Sequence, residues 1–145
     1  MQPVARGYDG ACHCGALQYH YDSALPPGQW SVRACRCSFC RLHGALTTSD
    51  PAGALVFRAA DFGAVQRYRF GARTTDFLIC RHCGAYVGAC VTGTRSRFGI
   101  INLQTLRPVR NDLPTPVRMD YENEPPDARL ARREQRWTPL APDSL

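Results

Sequence analysis

The sequence predicts an all-β fold, and three observations carry that prediction. Seven short segments have strand character, several with the apolar and polar alternation of a strand buried on one face. Pro- and Gly-rich stretches (Leu25-Pro26-Pro27-Gly28, Asp50-Pro51-Ala52-Gly53, Phe70-Gly71-Ala72-Arg73) separate these segments where turns are needed. Helical signals are confined to two short stretches.

In chain order, strands are expected at 16–21, 30–34, 54–58, 65–70, 76–79, 85–92 and 97–103. Alternation is clearest in Val65-Gln66-Arg67-Tyr68-Arg69-Phe70, which reads as a half-buried strand. A helical turn is expected at 37–42. A second helix is expected at 126–136, where Asp127 supplies early negative charge and arginines follow. From Arg107 onward proline and charge replace large apolar residues, so the expected organisation is one β domain over 1–107 and, over 108–145, an arm packing on the same domain. The arm holds all three glutamates (Glu122, Glu124, Glu134) and the basic run Arg129 to Arg136, which ends at Trp137. A solvated helix packed by Leu130 and Trp137 is the expected structure; a nucleic-acid contact is the other reading.

At 145 residues with 44% apolar content, the chain can fill one core. No apolar run of signal-peptide length opens it, and none approaches the roughly 20 residues needed to span a bilayer. A soluble, cytoplasmic protein with no membrane partner is expected. The formal charge is +6, and all 18 basic residues are arginine. The absence of lysine excludes Schiff-base chemistry on a carbonyl and a Walker-type phosphate loop, since both need that side chain. The basic excess fits an acidic partner, whether a small carboxylate or a nucleic acid.

Seven of the eight cysteines cluster as Cys12-x-Cys14, Cys35-x-Cys37-x-x-Cys40 and Cys80-x-x-Cys83. Thiolates one or two residues apart can share a small cation, whereas a disulfide across so short a loop is strained and removes little chain entropy. Seven ligands divide naturally into a closed site of four and an open site of three, the patterns of structural and catalytic zinc. Spacing leaves the pairing open: Cys80 and Cys83 could join Cys12 and Cys14, or Cys37 and Cys40. His13 and His82 lie inside chelating pairs and should face outward, and His20 sits in a strand pattern. His43, three residues after Cys40, is a candidate substrate contact. Cys90 reads as a buried free thiol. Zinc held by three thiolates is electron-rich, which favours activation of a substrate thiol over generation of hydroxide. No His-Glu-x-x-His motif supplies a general base, so hydrolysis is disfavoured.

Three motifs in order carry a resemblance to a known family: Gly10-Ala11-Cys12-His13-Cys14-Gly15, Arg33-Ala34-Cys35-Arg36-Cys37-Ser38-Phe39-Cys40-Arg41 and Cys80-Arg81-His82-Cys83-Gly84, with Tyr68-Arg69-Phe70-Gly71 upstream of the third. From roughly Tyr8 to Leu106 the chain resembles the glutathione-dependent formaldehyde-activating enzymes, which include the centromere protein V relatives. The resemblance implies a β-tent fold of small sheets and two zinc ions. It implies a structural zinc on Cys12, Cys14, Cys80 and Cys83 and a catalytic zinc on Cys35, Cys37 and Cys40. The implied activity is carbon-sulfur lyase chemistry that joins a small thiol, glutathione or similar, to a small aldehyde or other electrophile. Arg36, Arg41 and Arg73 are candidates for balancing the site or binding substrate carboxylates. Two other functions fit the same residues. One is a zinc-stabilised binding module contacting nucleic acid through Arg129, Arg132, Arg133 and Arg136. The other is a redox sensor at Cys35, Cys37 and Cys40. An exposed sheet edge would also permit a homodimer.

Overall fold

Alternation decides the first element of the core: in Leu17–Ser23, residues 17, 19, 21 and 23 are buried, and the residues between them face outward. A computed structural model of the chain describes residues 5–145 and gives twelve strands and two helices. They are β1 (Arg6–Ala11), β2 (Leu17–Ser23), β3 (Arg33–Cys35), α1 (Ser38–His43), β4 (Thr47–Thr48), β5 (Ala54–Ala59), β6 (Val65–Tyr68), β7 (Thr75–Cys80), β8 (Tyr86–Thr92), β9 (Arg97–Asn102), β10 (Leu106–Arg107), β11 (Val117–Met119), α2 (Pro126–Arg136) and β12 (Thr138–Pro139). The chain is thus mostly β-sheet with a short C-terminal helix.

A four-stranded sheet has the order β10-β1-β2-β5. A larger sheet runs β11-β3-β4-β9-β8-β7-β6, with β12 also paired to β9. Neighbours are antiparallel except β11 and β3, which are parallel. Leu17, Tyr19, Tyr21, Leu55 and Phe57 of the small sheet pack on Leu78, Val87, Cys90 and Ile101 of the large one. The opposite face of the large sheet is covered by α1 and the segment around Trp137, with Phe39, Phe77, Tyr86, Val91, Ile100 and Trp137 in one cluster. Covered on both faces, β8 is buried from Tyr86 through Val91 and shows no alternation.

A β-bulge breaks the parity of β8. Leu78 pairs with Gly88 but Ile79 pairs with Tyr86, so Val87 is an extra residue. Val87 faces the inter-sheet core, and Tyr86 joins Ala89 on the opposite face. The glycine at 88 is required there, since a Cβ would lie 2.4 Å from the Ile100 carbonyl oxygen and 2.7 Å from the Phe57 ring.

The expected strand at 30–34 begins only at Arg33, because Pro27–Gln29 forms a 3₁₀ turn and Trp30 inserts its ring, donating from Nε1 to the Leu25 carbonyl at 2.9 Å. The strand expected at 65–70 stops at Tyr68. It is an edge strand with residues 66–68 exposed rather than half-buried, because it ends the sheet and little covers it. Strands β1, β4, β10, β11 and β12 were not anticipated, being two or three residues long or, in β1, carrying two glycines. Residues 108–145 contribute β11, α2 and β12, two of which extend the large sheet. Among the described residues, no helix is long and apolar enough to cross a membrane.

Candidate metal centres and the adjoining cleft

Two hairpin turns build the first cluster. Cys12 and Cys14 lie in the turn between β1 and β2; Cys80 ends β7, and Cys83 lies in the turn that follows it. Each turn closes through a glycine in the left-handed region, Gly15 at φ 84° and Gly84 at φ 80°, whose N–H groups donate back to the carbonyls of Cys12 and Cys80. This is why each cysteine pair is followed by glycine. The four sulfurs lie within 4.8 Å of one another, although the turns belong to different sheets. The Cys12–Cys14 and Cys14–Cys80 separations are 3.7 and 3.6 Å, close to the ~3.8 Å edge of a sulfur tetrahedron around zinc with bonds of ~2.3 Å. Leu17 N–H donates to Cys12 Sγ at 3.3 Å. Burial pushes the Cys80 thiol up to about 12. It pushes Cys83 the same way, but N–H groups of Cys14 and Ala85 and the thiols of Cys80 and Cys12 outweigh it and hold Cys83 at about 6.

The second cluster is local. Cys35 ends β3, Cys37 is the N-cap of α1, and Cys40 lies in its first turn, where its N–H donates to Cys37 Sγ at 3.3 Å. These three sulfurs also lie within 4.8 Å of one another. Hydrogen bonds from Cys35 and then Cys40 hold Cys37 far below the ordinary thiol range, while hydrogen bonding to Cys35 and then to Cys37 raises Cys40. Left to themselves, the three thiols can carry little charge together; a divalent cation resolves this repulsion, and the all-sulfur donor set suits zinc. Both clusters can therefore hold a metal ion and are compatible with zinc.

A cleft of about 500 Å³, in the size range of small-molecule sites, opens on the second cluster and is lined by Cys35, Cys37 and Cys40. Phe70, Phe77 and Tyr86 form its apolar wall, backed by Phe39 with its ring centroid 4.6 Å from that of Phe77 and 4.9 Å from that of Tyr86. The Tyr86 hydroxyl is buried without a hydrogen-bond partner. Burial, and then the charge of the three cysteines, keeps its phenol well above the ordinary value, so it stays protonated. None of Cys12, Cys14, Cys80 or Cys83 lines this cleft.

α2 closes the other side. Pro126 begins it at a position where a missing N–H costs nothing. Arg132 grips Glu124 through two nitrogens, Nε to Oε2 at 2.9 Å and Nη2 to Oε1 at 3.0 Å, and Arg129 approaches the same carboxylate at 3.6 Å. Arg133 turns inward to Thr75 Oγ1 and stacks its guanidinium over Trp137 at 4.8 Å. Burial lowers its pKa to about 10, with Arg132 and Arg129 adding repulsion.

A family model for the glutathione-dependent formaldehyde-activating enzyme matches residues 7–121, most of the chain. The chain belongs to that family. A solved structure of a Rhodobacter sphaeroides protein is 28% identical, with a TM-score of 0.58, and the alignment covers 77% of this chain and 99% of that one. No curated protein matches. Membership points to a formaldehyde-activating or related function. Helix α2 begins after the matched segment, so the arginines it adds to the cleft lie outside the part this chain shares with the family model.

Of the sequence-predicted residues, Arg36 and Arg41 line the cleft, whereas Arg73 lies on an exposed turn outside its lining. His13, His20 and His82 are exposed. His43 is exposed and lies against Phe39, ring centroids 4.5 Å apart and tilted by 43°, without lining the cleft. Cys90 is buried in β8 beside Arg67, and all eight cysteines are unbridged. Sequence reasoning missed Arg33 and Tyr86 and read the arginines of α2 as solvated, though three of them line the cleft.

Glu124 gives this wall an acid-sensitive latch. Arg132, first by hydrogen bond and then by charge, depresses the Glu124 pKa below its ordinary 4.5. A depressed carboxylate contributes stability that is fully present above its unfolded pKa and is lost as pH falls through the folded one. Glu124→Gln is therefore expected to lower the melting temperature at pH 7 by a few degrees. The deficit relative to wild type should shrink as pH is taken below about 4.5. Parallel thermal melts across that range check it, and a deficit independent of pH would rule the latch out.

Proposed function

We propose that the chain is a zinc-dependent carbon-sulfur lyase-type enzyme that joins a small thiol to a small aldehyde, as the name of its family suggests. In this reading Cys12, Cys14, Cys80 and Cys83 hold a structural zinc at the base of the β-tent, and Cys35, Cys37 and Cys40 hold a catalytic one. The observation that carries the assignment of roles is that the three-sulfur cluster opens into the cleft while the four-sulfur cluster does not. Held by Cys35, Cys37 and Cys40, zinc would supply the means of keeping a substrate thiol ionised near neutral pH. The aldehyde lies against the wall of Phe70, Phe77 and Tyr86, which excludes water and so disfavours its hydration. Sulfur adds to the carbonyl carbon, the C–S bond forms as the C=O π pair moves to oxygen, and the proton lost by the thiol ends on that oxygen. The unpartnered Tyr86 hydroxyl donates a hydrogen bond to the oxygen as its charge develops.

Metal analysis of protein purified without chelator should return about two zinc per chain. NMR of that protein with formaldehyde and a thiol should show accelerated appearance of the hydroxymethyl thioether. A content of about one that added zinc does not raise, together with no acceleration, would remove the catalytic zinc and leave the redox reading of Cys35, Cys37 and Cys40.

A further inference from the structure

The four sulfurs placed to share one ion are not equally placed toward solvent. Cys12 and Cys80 are buried and Cys83 is half-buried, whereas Cys14 is exposed. In the other cluster no cysteine is as open, since Cys35 and Cys37 are half-buried and Cys40 is buried. Backbone N–H groups donate to three sulfurs of the first cluster: Leu17 to Cys12 at 3.3 Å, Cys83 and His82 to Cys80, and Cys14 and Ala85 to Cys83. Such a bond draws charge from a thiolate and weakens it as a nucleophile. Cys14 Sγ instead has the sulfurs of Cys12 and Cys80 as its partners, at 3.7 and 3.6 Å. The space beside the turns is open too. Among the described residues, a Cβ built on Gly15 or on Gly84 would meet nothing but its chain neighbours within 4 Å. Cys14 is therefore the thiolate of this pair of clusters that a small oxidant reaches first.

We infer that Cys14 is a modification site for hydroperoxides, at which oxidation turns its contact with Cys80 into a disulfide and withdraws the four-sulfur cluster from metal binding. The inference rests on reading that cluster as a structural metal site and adds its regulation. The Cys14 thiolate attacks the peroxide, the O–O bond breaks, a sulfenic acid forms and hydroxide leaves. The Cys80 sulfur then attacks the sulfenic sulfur; the S–S bond forms as the S–O bond breaks, and a second hydroxide leaves. The two sulfurs give up two electrons, the peroxide accepts them, and two protons from solvent turn both hydroxides into water. Cys80 resolves the sulfenic acid rather than Cys12, because a disulfide between residues two apart is strained. Cys14 and Cys80 lie 66 residues apart in segments of different sheets. A link over that span joins the two sheets where the metal would join them. The oxidised chain thus exchanges a metal tie for a covalent one and stays folded. None of the four cysteines lines the cleft, so the second cluster keeps its own ion.

The test uses the zinc-loaded wild-type chain, freed of small thiols and treated with increasing hydrogen peroxide. A colorimetric chelator follows zinc release, and peptide mass spectrometry maps the disulfides. About one zinc per chain should be released in step with a link between Cys14 and Cys80, and dithiothreitol with added zinc should reverse both. The oxidised protein should melt roughly 8–16 °C above the reduced, chelator-stripped protein, as a disulfide closing so long a loop predicts. In the untreated protein, limiting iodoacetamide should label Cys14 about tenfold or more faster than any other cysteine. A first link within Cys35, Cys37 and Cys40, labelling spread evenly over the clusters, or an oxidised chain that melts with the stripped one overturns the inference. A link between Cys14 and Cys80 in a chain that carries no zinc beforehand would leave the modification site standing and sink the structural-zinc reading. Full zinc content that peroxide does not lower would do the reverse.

Discussion

Serine at Cys83 or Cys12 is expected to unfold the domain at a much lower temperature, while serine at Cys37 leaves the fold standing and abolishes turnover. The four-sulfur cluster ties a turn of the small sheet to a turn of the large one, across 66 residues between Cys14 and Cys80. A structural metal there contributes folding free energy directly, so losing one ligand should cost on the order of 4 kcal/mol or more. For a chain of this length that corresponds to a drop of roughly 8–16 °C in Tm. Cys37 differs because its cluster spans a single short loop and closes little chain. Its sulfur also caps α1 by accepting from the Cys40 N–H, and serine is among the best N-cap residues. Cys37→Ser should therefore melt within a few degrees of wild type, bind one zinc fewer, and lose activity by about a thousandfold or more. Equal Tm losses in all three variants would contradict the separation of roles.

Tyr86→Phe should reduce kcat by roughly 10²- to 10³-fold, the usual consequence of removing one donor from a developing oxyanion. Stability should move the other way. The hydroxyl is buried without a partner, so deleting it removes an unsatisfied polar group and is expected to be neutral or to stabilise by about 1 kcal/mol. Few substitutions separate the two effects by sign. A fall in Tm with full activity would mean that the hydroxyl serves the core; a fall in kcat at equal or higher Tm would mean that it serves the substrate. Aldehyde dependence of the rate sharpens this, since loss of an interaction made only in the transition state leaves KM nearly unchanged.

What could be read from the chain beforehand follows from the range of the interactions involved. Metal ligation demands short spacing, so the cysteine groups stand out as sequence patterns. Spacing could not say which pairs meet, because the proximity of Cys12 to Cys80 is a property of two sheets brought face to face. Long strands such as Leu17–Ser23 declare themselves by alternation, whereas β4, β10 and β12, with two residues each, have no period to display. Tyr86 is the instructive failure. Counting by twos back from Val91 puts residue 86 on the inter-sheet side, and only the extra residue at Val87 turns its ring into the cleft. Arg33 and Arg133 were not legible as cleft residues for a different reason. Sequence assigns arginine to solvent by default, and their place in one cleft depends on segments a hundred residues apart meeting there.

The return of the chain's last segment onto the middle of the large sheet, where Thr138 pairs with Gly99, bears on how the protein is made. Cys12 and Cys14 leave the ribosome well before the strand that borders β1, at Leu106–Arg107, and the one that borders β9, at Thr138–Pro139. No self-sufficient part can finish early, and non-local pairing of this kind is slow. The four thiols of the first cluster thus wait, reduced and unscaffolded, until those strands arrive. Loading of zinc and completion of the fold become one late event, so scarcity of metal during translation should appear as lost soluble protein rather than as accumulated inactive enzyme.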